Sequence, residues 1–212
     1  YYADRLRVDN GSYLFDYIGK DVEIRDLRIC FPGRVNVENA TAAITVALYA
    51  GVTPEEIRVA LPLFKGVSRR FDVHAKGDRL IYIDDYAHHP REIEASLSSI
   101  REMWPDKRLT VAFQPHLYSR TNDFYPEFAK SLNLADQVIL LDIYPAREQP
   151  IPGVTSGLIA DRLTVPFVRV TKEEFPEYVK ENVKEGVFMT VGAGDIDRFI
   201  PIFTEMFGGT DC

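Results

Sequence analysis

From about Arg70 onward the sequence alternates short apolar runs with amphipathic stretches, and this alternation limits the possible folds more than any other feature. Residues 80–84, 109–113, 138–142, 167–170 and 187–191 are apolar nearly throughout, as strands covered on both faces must be. Between them Ile93, Leu97, Ile100 and Trp104 recur at helical spacing, as do Phe124, Phe128 and Leu132, and then Ile196, Phe199, Ile200 and Phe203. Strand and helix in turn predict an α/β unit: a Rossmann-like, doubly wound, mostly parallel sheet with helices on both sides. Thr171 to Glu174 spells a capping box while Pro176 suits a first helical position, so that helix has two possible starts, and Pro201 is expected to kink the last helix.

The first third reads differently. Residues 13–18 and 22–31 are β-prone, with Asn10-Gly11 and Gly19-Lys20 as turns. Two or three strands bury too little to stand alone, so this segment is expected to complete a sheet whose other strands lie upstream or nearby. After Pro32-Gly33, apolar positions at Ala40, Ala43, Ile44, Ala47 and Leu48 mark a helix that Gly51 stops. Thr53-Pro54-Glu55-Glu56 then combines an N-cap, a proline at the first helical position and a capping-box glutamate, leading into Ile57, Leu61 and Phe64.

Composition narrows the function classes. With 46% hydrophobic and 27% charged residues in 212, the chain can bury one good-sized core or two small ones. A net charge of -7 argues against general affinity for nucleic acid or acidic membranes. Cys30 and Cys212 are far apart and suggest neither a disulfide framework nor a zinc site, which fits a cytoplasmic location. No apolar stretch approaches the roughly 20 residues of a membrane span.

Unusual polar residues gather just after the expected strands, where open parallel sheets bind ligands. Four loops qualify: Asp84 to Pro90, Gln114 to Thr121, Ile143 to Pro150, and Gly192 to Asp195, and they hold three of the four histidines. Each has a plain reading. Asp84 and Asp85 can end a strand, His88 and His89 can be surface or capping groups, and Arg120 and Arg147 can be solvated cations, with Glu148 pairing only its neighbour. A tandem histidine pair is a poor chelator, and Gly192-Ala193-Gly194-Asp195 is no dinucleotide fingerprint. The convergence of all four loops on one sheet edge is what the plain readings do not require.

These residues also carry a family resemblance. Gly33-Arg34-Val35-Asn36-Val37-Glu38-Asn39-Ala40, Gly66-Val67-Ser68-Arg69-Arg70-Phe71, Asp84-Asp85-Tyr86-Ala87-His88-His89-Pro90, Phe113-Gln114-Pro115-His116, Tyr118-Ser119-Arg120-Thr121, Tyr144-Pro145-Ala146-Arg147-Glu148-Gln149-Pro150-Ile151 and Gly192-Ala193-Gly194-Asp195-Ile196 occur in this order. Over essentially its whole length the chain resembles the Mur ligases. Within that family, Gln-Pro-His together with the Ala-Arg-Glu-x-Pro-Ile run points to the member that joins L-alanine to UDP-N-acetylmuramate. The resemblance implies that residues 1–68 are the end of a central α/β, P-loop-type, ATP-binding domain and residues 69–212 a carboxy-terminal Rossmann-like domain. No Gly-x-x-x-x-Gly-Lys-Ser/Thr occurs in the 212 residues, so ATP and Mg2+ are expected to be held mainly by an upstream part, and this chain alone is expected to be inactive.

The implied reaction is amide formation through an acyl phosphate, with no nucleic acid, membrane or obligate protein partner. Carried to matching positions, the family pattern makes Asn36, Asn39 and Asp85 nucleotide contacts and Arg70 the cation at the phosphates. Tyr86, His116 and Arg120 line the amino-acid side. Arg120 is the best candidate to hold the alanine carboxylate, and His88 is a possible acceptor of the amine proton. Val35 stands where relatives often carry His and Leu117 where they often carry Arg, which leaves Arg120 as the carboxylate's guanidinium. Two alternatives stay open: another Mur ligase, acting in tripeptide recycling or at a later stem-peptide step, and a non-catalytic nucleotide-binding module.

Overall fold

The computed structural model describes residues 1–9, 11–31 and 33–208. Asn10 of the expected turn, Pro32 of the expected helix break, and Cys212 lie outside the described residues. The chain divides into two compact units, residues 1–67 with 99–105 and residues 68–98 with 106–212.

In the first unit β1 (Tyr2–Asp9), β2 (Ser12–Ile18) and β3 (Glu23–Ile29) form an antiparallel sheet in that order. Among the described residues the sheet has these three strands, and helices α1 (Arg34–Tyr49) and α2 (Pro54–Ala60) cover its apolar side. The large side chains of Tyr13, Phe15, Tyr17 and Leu27 pack there with Val37, Ala40, Ile44 and Ile57, which gives a small sheet a core of its own. Asp16 is buried in the middle strand, where it pairs with Arg5 and accepts a hydrogen bond from the Asp26 amide at 2.9 Å. Arg5 and Asp26 have positive φ where the strand register shifts, so the sheet's two bulges are tied to one carboxylate.

The capping box at Thr53 forms as expected, with the Glu56 carboxylate accepting from the Thr53 amide at 2.8 Å and Pro54 in the first turn. Gly33, at φ 101°, is the N-cap of α1, and Asn36 and Asn39 lie inside the helix's first turns. Gly33 reaches that backbone conformation at little cost because it has no Cβ.

The second unit holds β4 (Asp72–Lys76), β5 (Leu80–Asp85), α3 (Pro90–Met103) as far as Ser98, β6 (Leu109–Phe113), α4 (Tyr118–Leu132) and β7 (Gln137–Leu140). It continues with α5 (Gly157–Ala160), β8 (Phe167–Arg169), α6 (Phe175–Asn182), β9 (Gly186–Val191) and α7 (Ile200–Phe207). The sheet order is β4-β5-β9-β6-β7-β8, parallel throughout except that β4 runs antiparallel on the edge of β5. The five strands read from sequence are all present, and the doubly wound, mostly parallel α/β fold is the observed one. β4 and the single turn α5 were not read. Asp72 and His74 interrupt any apolar run in β4, as an edge strand tolerates.

Helices lie on both faces. Tyr82, Ala112, Ile139 and Phe188 face Phe175 and Val179 of α6 and Phe203 of α7. On the other face the ring of Phe113 lies 5.2 Å from that of Phe128 in α4, and the Ser131 hydroxyl donates to the carbonyl of Pro90, where α3 begins. The Thr171–Glu174 box forms in the turn before α6, whose first turn holds Pro176, so the two possible starts are successive parts of one cap. Pro201 does not kink the last helix. A 3-10 turn (Asp195–Phe199) precedes it and Pro201 sits in the first turn of α7, where its missing N–H leaves no intrahelical bond unmade.

Candidate active site

Because β9 is inserted between β5 and β6, the carboxyl ends of three parallel strands meet at one rim. The Gly192 amide donates to the Asp85 carbonyl at 3.0 Å, and the Gln114 amide donates to the Val191 carbonyl at 3.0 Å. Gln114 is fully buried, and its side chain joins two loops by donating to Asp195 at 2.8 Å and accepting from the Ile196 amide at 3.0 Å. The loop after β7 is laced to the loop after β6 through Leu117 N to Tyr144 O (2.9 Å) and Tyr144 N to Pro115 O (2.8 Å). All four expected loops therefore converge on one edge of the sheet.

Four rings form a band along that edge. Tyr86 meets His88 edge-on at 5.4 Å, His88 meets His116 at 6.3 Å, and His116 stacks on Tyr144 at 5.7 Å. A cation stands at each end, Arg69 over Tyr86 at 5.0 Å and Lys172 over Tyr144 at 5.6 Å. The hydrogen bonds fix the protons on both imidazoles. His88 Nδ1 lies 3.0 Å from the Tyr86 carbonyl, which can only accept, so Nδ1 carries the hydrogen and a neutral ring has its lone pair on Nε2. His116 Nδ1 faces the Arg120 guanidinium at 3.3 Å, which can only donate, so neutral His116 presents Nε2–H. Burial holds the His116 pKa down, and the charge of Arg120 adds to this, so the ring is neutral near pH 7.

Asp84 and Asp85 end β5 side by side, pointing to opposite faces of the sheet. Asp84 is fully buried, accepts from Thr190 Oγ1 at 2.6 Å and pairs with Arg69 Nε at 3.2 Å. Because Thr190 gives its only hydroxyl proton to Asp84, the Tyr82 hydroxyl 3.1 Å away donates to Thr190. Burial raises the Asp84 pKa despite Thr190 and Arg69. Asp85 accepts from Ser96 Oγ at 2.5 Å and from the Ala87 amide at 3.1 Å, and burial pushes its pKa up to about 6 against those bonds.

The two arginines of Ser68-Arg69-Arg70-Phe71 behave oppositely. Arg69 bonds Asp84, Asp197 (3.1 Å) and the Gly192 carbonyl (2.7 Å), and its own carbonyl accepts from the Tyr86 amide at 2.7 Å. Arg70 is exposed, and its side chain has no hydrogen-bond or ion-pair partner among the described residues. Arg120, half-buried in the first turn of α4, has His116 as its hydrogen-bond partner and no ion pair among the described residues. Four non-glycine residues at this rim, Arg69, Phe71, Leu117 and Ala146, adopt positive φ, the kind of backbone strain that collects at functional sites.

The structure thus brings Asp85, Tyr86, His88, His116 and Arg120 together on one rim, with Arg70 next to Arg69. Asn36 and Asn39 are on α1 of the first unit, half-buried and exposed respectively. Sequence reading missed Arg69 as the residue that ties the rim, and it missed Lys172, which pairs with Asp195 at 2.7 Å. The Arg-Arg doublet flagged the place but not which arginine is fixed. A polar cavity of about 400 Å³ opens beside Tyr144, lined by Arg69, Ala193, Gly194, Asp195, Asp197 and Arg198. Among the described residues no three His, Cys, Asp or Glu side chains are grouped to hold a metal ion. No described helix is long and apolar enough to cross a membrane.

Comparison with known proteins bears on this rim. Residues 69–194 match the family model described as Mur ligase, glutamate ligase domain. The chain is 47% identical over 203 residues to the UDP-N-acetylmuramate--L-alanine ligase of Phocaeicola vulgatus, covering 95% of this chain and 44% of that protein. It is 46% identical over 206 residues to the enzyme of the same name from Parabacteroides distasonis, covering 97% and 45%. The crystal structure of UDP-N-acetylmuramate-alanine ligase from Thermotoga maritima superposes with a TM-score of 0.74 at 29% identity, over 96% of this chain and 44% of that one. The chain therefore spans less than half the length of the relatives it matches.

Proposed function

Because the chain belongs to the Mur ligase family, we propose that it is part of an ATP-dependent ligase that joins L-alanine to UDP-N-acetylmuramate in peptidoglycan precursor synthesis. On this reading residues 1–68 end the ATP-binding central domain and residues 69–212 form the carboxy-terminal domain. The observation that carries the reading is the Arg120 guanidinium, free of any ion pair among the described residues, beside a neutral His116 on the ring band. It offers a small amino acid a cation for its carboxylate, with an imidazole within reach of its amine.

The chemistry has two steps. A carboxylate oxygen of the sugar substrate attacks the γ-phosphorus of ATP, the bond to ADP breaks, and an acyl phosphate forms. The amine nitrogen of alanine then attacks the acyl carbon and phosphate leaves. Arg120 holds the alanine carboxylate by charge-assisted hydrogen bonds, and Tyr86 and His116 wall the pocket, with His116 Nε2–H as a donor. His88 takes the amine proton on Nε2, the nitrogen its Tyr86 hydrogen bond leaves free. Arg70, whose side chain has no partner among the described residues, is the cation for the phosphates, while Asp85, Asn36 and Asn39 contact the nucleotide. Mg2+, when bound, would neutralise phosphate charge, and none of the steps above is assigned to it.

Phosphate release by the whole protein, measured with ATP, UDP-N-acetylmuramate and a panel of amino acids and peptides, tests the proposal. We expect release to require the nucleotide sugar and to be fastest with L-alanine. Preference for a peptide or another amino acid would assign the chain to a different ligase of the family, and absence of release with any of them would make it a non-catalytic module.

A further inference from the structure

We infer that Glu148 is a positioning residue: it clasps the loop after β7 onto the open amino end of α4 and so holds Arg120 and His116 against Tyr144. The inference rests on the ligase reading for its functional consequence, though the clasp itself stands on geometry alone. Helix α4 begins after Leu117, whose φ of 72° and apolar side chain provide no cap. The amides of a helix's first turn have no intrahelical acceptor and need one from elsewhere. Glu148 supplies it from 29 residues downstream: Ser119 N donates to Oε2 at 2.9 Å and Ser119 Oγ donates to Oε1. The amide and hydroxyl of Ser119 thus engage both carboxylate oxygens, at the end of the helix where negative charge is favoured.

The loop is shaped for this contact. Ala146, at φ 50°, and the bond from Glu148 N to Pro145 O at 2.9 Å close a turn that brings Glu148 back onto the helix. The backbone pairs Leu117–Tyr144 and Tyr144–Pro115 also tie this loop to the approach of α4, and no side-chain substitution removes them directly. Arg120 follows Ser119 in the clasped turn, and His116 bonds Arg120 while stacking on Tyr144, so both ends of the amino-acid contact are fixed by the clasp. There is a second effect on selectivity. With Glu148 seated on the helix end, an incoming carboxylate is repelled from the first-turn amides and directed to the Arg120 side chain.

A mere cap would change stability only, whereas a positioning residue changes how alanine binds. In the whole protein, Glu148→Ala should raise the apparent KM for alanine about tenfold, while kcat and the apparent KM for ATP stay within about twofold. Glu148→Gln, which keeps the shape but not the charge, should fall between. Adding Ser119→Ala to Glu148→Ala should cause little further loss, because the two groups act as one contact. An unchanged alanine KM in Glu148→Ala overturns the inference. Should the unsubstituted protein release no phosphate with alanine, the ligase reading fails and amide hydrogen exchange decides on the clasp separately: residues 117–121 exchange faster in Glu148→Ala if it exists and at the unsubstituted rate if it does not.

Discussion

The Arg69 guanidinium meets the fully buried Asp84 carboxylate at 3.2 Å and from there reaches the Gly192 carbonyl and Asp197, so one side chain ties the ends of β5 and β9 together. Removing it leaves a buried carboxylate with Thr190 as its chief partner. We expect Arg69→Ala to destabilise the protein by about 3 to 5 kcal/mol, as seen when one member of a buried ion pair is deleted. Arg69→Met combined with Asp84→Asn should recover much of the loss, because no unpaired charge remains. Urea melts of the single and double variants check this.

Asp85 gives a pH signature. Its folded-state pKa, about 6, stands above the ordinary 3.8, so the folded chain takes up a proton more readily than the unfolded one. The sign follows: between about pH 4 and 6 this group makes stability fall as pH rises, by on the order of 2 to 3 kcal/mol over the window. Asp85→Asn should flatten that part of the stability profile and raise stability at pH 7, while weakening ATP binding if the nucleotide role holds. Thermal melts across the pH range read the first effect and nucleotide titration of the whole protein reads the second.

Gly194 lies where no side chain fits. A Cβ there would stand 2.7 Å from the Tyr144 Cβ and against the buried Gln114 amide. Gly194→Ala should cost about 1 to 3 kcal/mol by overpacking. It should also push Tyr144 off His116, so a fall in melting temperature accompanied by a raised alanine KM is the expected pair of results.

How far these features could be read from sequence depends on what each residue touches. Four of the five parallel strands were legible because both their faces are buried, which leaves nearly unbroken apolar runs such as Leu109 to Phe113, and β8 on the sheet's far edge was legible from its short apolar run although it is largely exposed. β4 was not, since Asp72 and His74 sit on an edge where polar side chains are tolerated. Local cap chemistry was readable at Thr53 and Thr171, whose partners lie three residues away. The cap of α4 was hidden because its acceptor, Glu148, is remote in sequence. The same holds for Arg69 and Arg70: neighbours of one chemical type differ only in which tertiary groups surround them, and Gly33 caps α1 through a backbone angle no side-chain pattern announces.

Arg120 is where the functional account is most exposed. In the whole protein, ATP-dependent phosphate release is to be measured against alanine concentration for the unsubstituted enzyme and for Arg120→Ala. The account predicts that the apparent alanine KM rises about a hundredfold, the loss of one charge-assisted carboxylate contact of roughly 3 kcal/mol, with the ATP requirement little changed. An alanine KM that stays where it was would contradict it.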